Sequence, residues 1–218
     1  MANKIIYYAN LSESYSYHLI REINLQDKNY VYSTCPVVNH KKNRTFIGLS
    51  PIDFEIEIDN KNKLIKSSNP ELFFYDNDHL DSPTNVVQLL FPRLLFWTNE
   101  KNIWFEFNDH PLTSYKNNFV AIGGWFNLSN WTRNMSLAIQ FVDNKRKVVI
   151  MKGDPLFRIT FHSQNLNDGI ILKEEKNKEK LKEKYEEMMN SDRKDKSLLK
   201  KLFSNPRIKK CPFRFLYK

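Results

Sequence analysis

Residues 52–59 read Ile-Asp-Phe-Glu-Ile-Glu-Ile-Asp, an unbroken alternation of apolar and acidic side chains. Successive side chains of a β-strand point to opposite faces. Ile52, Phe54, Ile56 and Ile58 therefore share one face, and four carboxylates share the other. A helix would scatter both sets around its circumference. The stretch demands a sheet with one buried and one wet face. The alternation accounts for the acidic row without a metal.

Similar readings place strands at Lys4–Ala9, Tyr30–Cys35, Leu72–Tyr75, Val86–Phe91, Asn102–Phe107, Phe119–Phe126, Asn134–Phe141, Lys147–Met151 and Leu156–Phe161. Connectors rich in Asn, Asp, Ser and Pro separate them. One early helix is expected from Ser12 to Ile23, with Leu19, Ile20 and Ile23 inward. Gly153-Asp154-Pro155 reads as a hairpin turn between the last two strands, with Pro155 at a strand start. Many short strands without βαβ alternation imply a mainly β chain, a jelly-roll or cupin-like β-sandwich. Its domain is expected over residues 1–170.

The remaining residues, 171–218, read as a basic helical extension packed on that domain. Residues 173–218 hold 16 Lys/Arg and 8 Asp/Glu, a net charge of +8 out of the total +9. Lys173 to Asn190 lacks Gly and Pro, and Leu181, Tyr185 and Met188 make an apolar stripe. A second helix is expected from Asp192 to Phe203, which completes a C-terminal helical hairpin. Alternating charges fit a solvated helix pair. A basic tail also admits nucleic-acid binding through residues 173–218, although no recognition motif accompanies it.

The longest apolar run, Val86 to Trp97, is interrupted by Gln88, Pro92 and Arg93 and is too short to span a bilayer. The N-terminus has no signal-peptide pattern. No membrane association and a cytoplasmic location are the expectation, in the host cytoplasm if a phage encodes the chain. The abundance of Lys and Asn, 25 each against 9 Arg, points to an AT-rich genome such as a phage's. Two cysteines, Cys35 and Cys211, make no disulfide framework and read as thiols.

Several motifs together resemble a family of bacterial and phage proteins known as a domain of unknown function. They are Cys35-Pro36, Leu49-Ser50-Pro51, Phe96-Trp-Thr-Asn99, Asn102-Ile-Trp-Phe-Glu-Phe107, Asn108-Asp-His-Pro111, Gly123-Gly-Trp125, Trp131 and Gly153-Asp-Pro155. The resemblance spans roughly residues 30–162 and implies a jelly-roll-like β core. It implies no activity.

Two constellations suggest chemistry. His79-Leu-Asp81 with the distant His162 has the composition of a two-histidine, one-carboxylate iron site on a jelly roll. No Arg between Arg158 and Arg193 is available to hold a co-substrate carboxylate, which weighs against that set. Trp97, Trp104, Trp125 and Trp131 form an aromatic cluster able to stack a ligand. Trp104 and Phe105 are neighbours on one strand, so one of them faces away from the core. No nucleophile elbow or phosphate loop is present. The sequence expectation is a non-enzymatic binding or accessory protein without a cofactor. It would hold a protein or small molecule on the aromatic face. The alternatives are a non-haem Fe(II) oxygenase and a nucleic-acid binder, so enzymatic activity is left open.

Overall fold

The computed structural model describes residues 3–12, 17, 19–21, 41, 43–59, 64–68, 73–74, 86–110, 119–141, 147–165 and 167–190. The chain divides into two compact units, Met1–Glu175 and Lys176–Lys218.

The first unit is mainly β, a jelly-roll-like sandwich. Its strands are β1 (Asn3–Asn10), β2 (Leu19–Arg21), β3 (Thr45–Leu49), β4 (Phe54–Asp59), β5 (Leu64–Ser67), β6 (Phe73–Phe74) and β7 (Val86–Trp97). They continue with β8 (Ile103–Asn108), β9 (Phe119–Ala121), β10 (Gly124–Asn127), β11 (Arg133–Phe141), β12 (Lys147–Ile150), β13 (Pro155–Ser163) and β14 (Gly169–Glu174). One sheet runs β14-β1-β7-β11-β9, a second runs β10-β8-β13-β3-β2, and a third runs β12-β4-β5. The long β7 pairs with β11 along one edge. Its other edge is shared by β1, opposite residues 94–97, and β6, opposite Gln88 and Leu89. The β7–β11 register slips between Met135 and Leu137, across from the stretch of β7 that holds Pro92. Proline has no N–H for the ladder, which fits a break there.

The first two sheets meet through aromatic rings. Phe96 of β7 lies 5.2 Å from Phe105 and 6.2 Å from Phe161 of the second sheet. Ile103, Phe105 and Phe107 of β8 point inward with Phe157, Ile159 and Phe161 of β13, and all six are buried. Tilted ring pairs of this kind add about 0.5–1.5 kcal/mol beyond the area they bury.

Several elements differ from the sequence expectation. Leu19–Arg21, expected within a helix, is an edge strand beside β3. Phe119–Phe126 is not one strand. Its first part joins the first sheet through β11 and its second joins the second sheet through β8. The chain crosses between sheets at Gly123, where a Cβ would lie 2.6 Å from the Phe107 carbonyl oxygen. The turn at Gly153 is a corner rather than a hairpin: β12 pairs with β4 in the third sheet, and β13 pairs with β3 and β8 in the second. Gly153 takes φ +88°, a conformation that favours glycine. Residues 169–174, largely assigned to the basic tail, form β14, which pairs in parallel with β1. The strand expected at Tyr30–Cys35, the helix expected at Asp192–Phe203, and Cys35 and Cys211 lie outside the described residues.

In the second unit a helix covers residues 178–190 of the described chain. It begins after Asn177, whose Oδ1 accepts from the backbone N–H of Glu179 at 3.0 Å and of Lys180 at 3.3 Å. That is an N-cap, which satisfies donors the first turn leaves unpaired. Met188 is buried, whereas Tyr185 of the same stripe is exposed. Among the described residues no helix is long and apolar enough to cross a membrane.

Candidate functional site

The alternation that buries Phe105 and Phe107 turns Trp104, Glu106 and Asn108 to the outer face of β8. On β13 the same rule puts Arg158, Thr160 and His162 on that side, with Thr160 buried against Thr45. Antiparallel register sets His162 opposite Trp104 and Thr160 opposite Glu106. On the other side, Trp125 of β10 stands opposite Glu106. Diagonal neighbours across two strands are within reach of long side chains. His162 Nε2 accordingly lies 2.6 Å from Glu106 Oε2. Asn108 Nδ2 donates to the other carboxylate oxygen, Oε1, at 2.7 Å. Beside this pair Trp104 and Trp125 pack at 4.8 Å between centroids, inclined by 37°. Trp125 is 71% exposed, a large apolar surface to leave in water.

Burial pushes the Glu106 carboxyl up. The hydrogen bonds from Asn108 and His162, with the charges of His162 and Lys41, outweigh that effect and hold it below its ordinary value. The group is thus a carboxylate near neutral pH, and a carboxylate only accepts. The imidazole nitrogen facing it carries the proton, which leaves Nδ1 as the basic nitrogen. A histidine oriented by a carboxylate in this way is suited to take a proton from water or a hydroxyl.

The four tryptophans expected on one face are dispersed. Trp97 belongs to β7 in the other sheet, is fully buried, and stacks on Tyr7 at 5.7 Å. Trp131 lies in the link between β10 and β11, edge-on to Phe126 and under the Arg133 guanidinium. Only Trp104 and Trp125 share the outer face with His162. Of the expected iron ligands, His79 and Asp81 lie outside the described residues. His162 directs Nε2 at Glu106 rather than at a metal set, and no group of three His, Cys, Asp or Glu able to hold a metal occurs among the described residues. The sequence reading passed over Glu106 and Asn108. The signal for them was there, since they sit two and four residues beyond Trp104 on the wet side of an alternating strand.

No family model matches the chain, and no curated protein does. Solved structures similar to it include the EIAV dUTPase, at 12% identity and TM-score 0.34, covering 56% of this chain and 78% of that one. Another is a dUTPase of Staphylococcus bacteriophage 80alpha, at 9% identity and TM-score 0.35, covering 74% of this chain and 95% of that one. A third is the dUTPase from phage phi11 of S. aureus, described with a structural Mg(II) ion, at 9% identity, TM-score 0.34 and the same coverage. These proteins are enzymes by name, and that finding corrects the expectation of a non-enzymatic binding or accessory protein. At such identity and TM-score the likeness assigns no activity, and the chemistry argued next rests on the site alone.

Proposed function

We propose that the protein is a hydrolase in which His162, oriented by Glu106, acts as general base on the outer face of β8 and β13. The carrying observation is the 2.6 Å contact between His162 Nε2 and a carboxylate whose second oxygen is held by Asn108. In the step, Nδ1 takes a proton from a water molecule as that water attacks the substrate. The carboxylate balances the imidazolium that forms, and the leaving group departs with the cleaved bond's electron pair. Trp104 and Trp125 offer a flat ring in the substrate a surface to stack on. A nucleotide combines such a ring with bonds that water can cleave. dUTP, the compound for which the similar solved structures are named, is the first of the nucleotides to test.

The experiment is release of phosphate or pyrophosphate from dUTP and from the common nucleoside triphosphates, with Mg(II) in the assay. His162→Gln is expected to lower the rate by roughly 10²–10⁴-fold, the usual worth of a general base. It should leave circular dichroism unchanged, because the side chain is half exposed. Turnover by His162→Gln at the wild-type rate, or no turnover of any nucleotide by the wild type, overturns the reading.

A further inference from the structure

The outer side of the second sheet carries a straight row across four strands. Trp125 of β10 stands opposite Glu106 of β8, Glu106 opposite Thr160 of β13, and Thr160 opposite Thr45 of β3. Neighbouring strands lie about 4.8 Å apart, so the row spans roughly 14 Å. The Trp104–Trp125 pair takes one end, and the His162–Glu106 pair lies between the ends. At the far end Thr45 and Thr160 are buried, with their hydroxyls 3.0 Å apart.

The segment before β3 reaches that end. Thr45 Oγ1 donates to the Lys41 carbonyl at 2.8 Å, which holds Lys41 beside the row. Lys41 itself is exposed, and its ammonium makes no ion pair among the described residues. Its charge is felt at Glu106, where it helps to hold the carboxyl below its ordinary value. It is not seated on that carboxylate, whose two oxygens are engaged by His162 and Asn108. Arg158, on the same side of the sheet, gives its Nε to the Asp109 carbonyl at 3.0 Å.

The row therefore runs from an aromatic surface, past a histidine oriented by a carboxylate, to a cation with no anion of its own. A ligand that complements this order has a flat ring at one end and an anion at the other. An ammonium on a flexible stem suits a phosphate or carboxylate arm, because it meets a point charge from many directions.

We propose that Lys41 sets the substrate class of this site by receiving the anionic arm of a compound whose ring stacks on Trp125. The role of Lys41 rests on the hydrolase reading for the place of the substrate, not for the chemistry done there.

The test is equilibrium binding to the whole chain, followed by tryptophan fluorescence. The probes are two nucleosides and their monophosphates, deoxyuridine with dUMP and adenosine with AMP. Quenching is expected in the wild type and should be lost in Trp125→Ala. At about 10 mM salt, where screening is weak, the monophosphate of at least one pair should bind roughly five- to tenfold more tightly than its nucleoside. Lys41→Gln should erase that preference, and Lys41→Arg should restore it. The fold is not at risk in either, since the carbonyl that Thr45 holds remains. Lys152→Gln removes the same charge from an exposed position between β12 and β13 and should leave the preference intact. A preference that survives Lys41→Gln, or that Lys152→Gln removes equally, overturns the proposal. So does equal binding of nucleoside and monophosphate, quenching unchanged in Trp125→Ala, or no binding of any probe. The two readings fail separately. Turnover that needs His162, with a phosphate preference indifferent to Lys41, keeps the hydrolase and removes the role of Lys41. A preference that needs Lys41, without turnover of any nucleotide, keeps the anion site and removes the hydrolase.

Discussion

Glu106 is the residue through which His162 gains a role. Its carboxyl is held below the ordinary value of 4.5, so the folded chain favours its charged form. The sign of the resulting pH dependence follows from linkage. A depressed carboxyl stabilises the fold at pH above its unfolded value, and that contribution fades as the pH falls through the folded one. Glu106→Gln should therefore cost stability near neutral pH and lose its effect in acid. Urea denaturation at about pH 7 and about pH 3 measures both limits. An equal loss at both would mean that the side chain acts by packing alone. Gly48 gives a prediction of the opposite kind, set by shape. It stands opposite Phe157, and the Phe157 ring fills the space a Cβ at 48 would need. Gly48→Ala should destabilise by about 1–3 kcal/mol, the range for overpacking a filled core, read from the shift of the denaturation midpoint. Neither partnership is legible from one chain. Glu106 and His162 are 56 residues apart, and Phe157 and Gly48 meet only through the pairing of β13 with β3. Alternation told which side of its strand each residue takes. Only the register told who stands across.

At the scale of elements, alternation over five or more residues was a safe guide, and short or capped segments were not. The strand read from Ile52–Asp59 is β4, with Phe54 and Ile56 buried. Leu19–Arg21 misled because three residues are too few to show a period, and its apolar side chains fit a helix as well as an edge strand. The tail misled for a different reason. Residues 170–176 carry no breaker, so a helix read from Lys173 had no visible start. The start is Asn177, and asparagine is among the preferred N-caps because its side chain accepts the first free N–H groups. Asn177→Ala should cost the helix about 1 kcal/mol, while Asn177→Ser or Asp should cost far less. Amide exchange at Glu179 and Lys180 is the direct readout. Unchanged protection there in Asn177→Ala would show that the cap contributes nothing.

At the scale of the molecule, the sandwich depends on places where strands leave one sheet for another. The corner at Ser50–Asp53 runs beside the corner at Met151–Asp154, and backbone bonds tie them: Ser50 N–H to Asp154 O at 2.8 Å, and Gly153 N–H to Ser50 O at 2.8 Å. The Asp53 carboxylate adds a bond from Lys152 N–H at 2.6 Å, and Asp154 takes one from Met151 N–H at 3.0 Å. The pairs β3–β13 and β4–β12 thus form one two-stranded ribbon bent across two sheets. β14 closes the unit at the other side. It pairs with six residues of β1, buries Ile170, and receives the Arg21 guanidinium on the Ile170 carbonyl. Just before it, Arg44 donates to the carbonyls of Asn165 and Asp168. These contacts place the end of the β unit after Glu175, not where the charge composition changes. A chain ending at Glu175 should keep the strand signature of the whole protein in far-UV circular dichroism and melt cooperatively. A chain ending at Asn167 should lose at least about 3 kcal/mol, because burying a side chain such as Ile170 is alone worth about 2–5 kcal/mol. Equal melting of the two truncations would show that β14 is an appendage, and the parallel pairing with β1 would then have no part in holding the sandwich together.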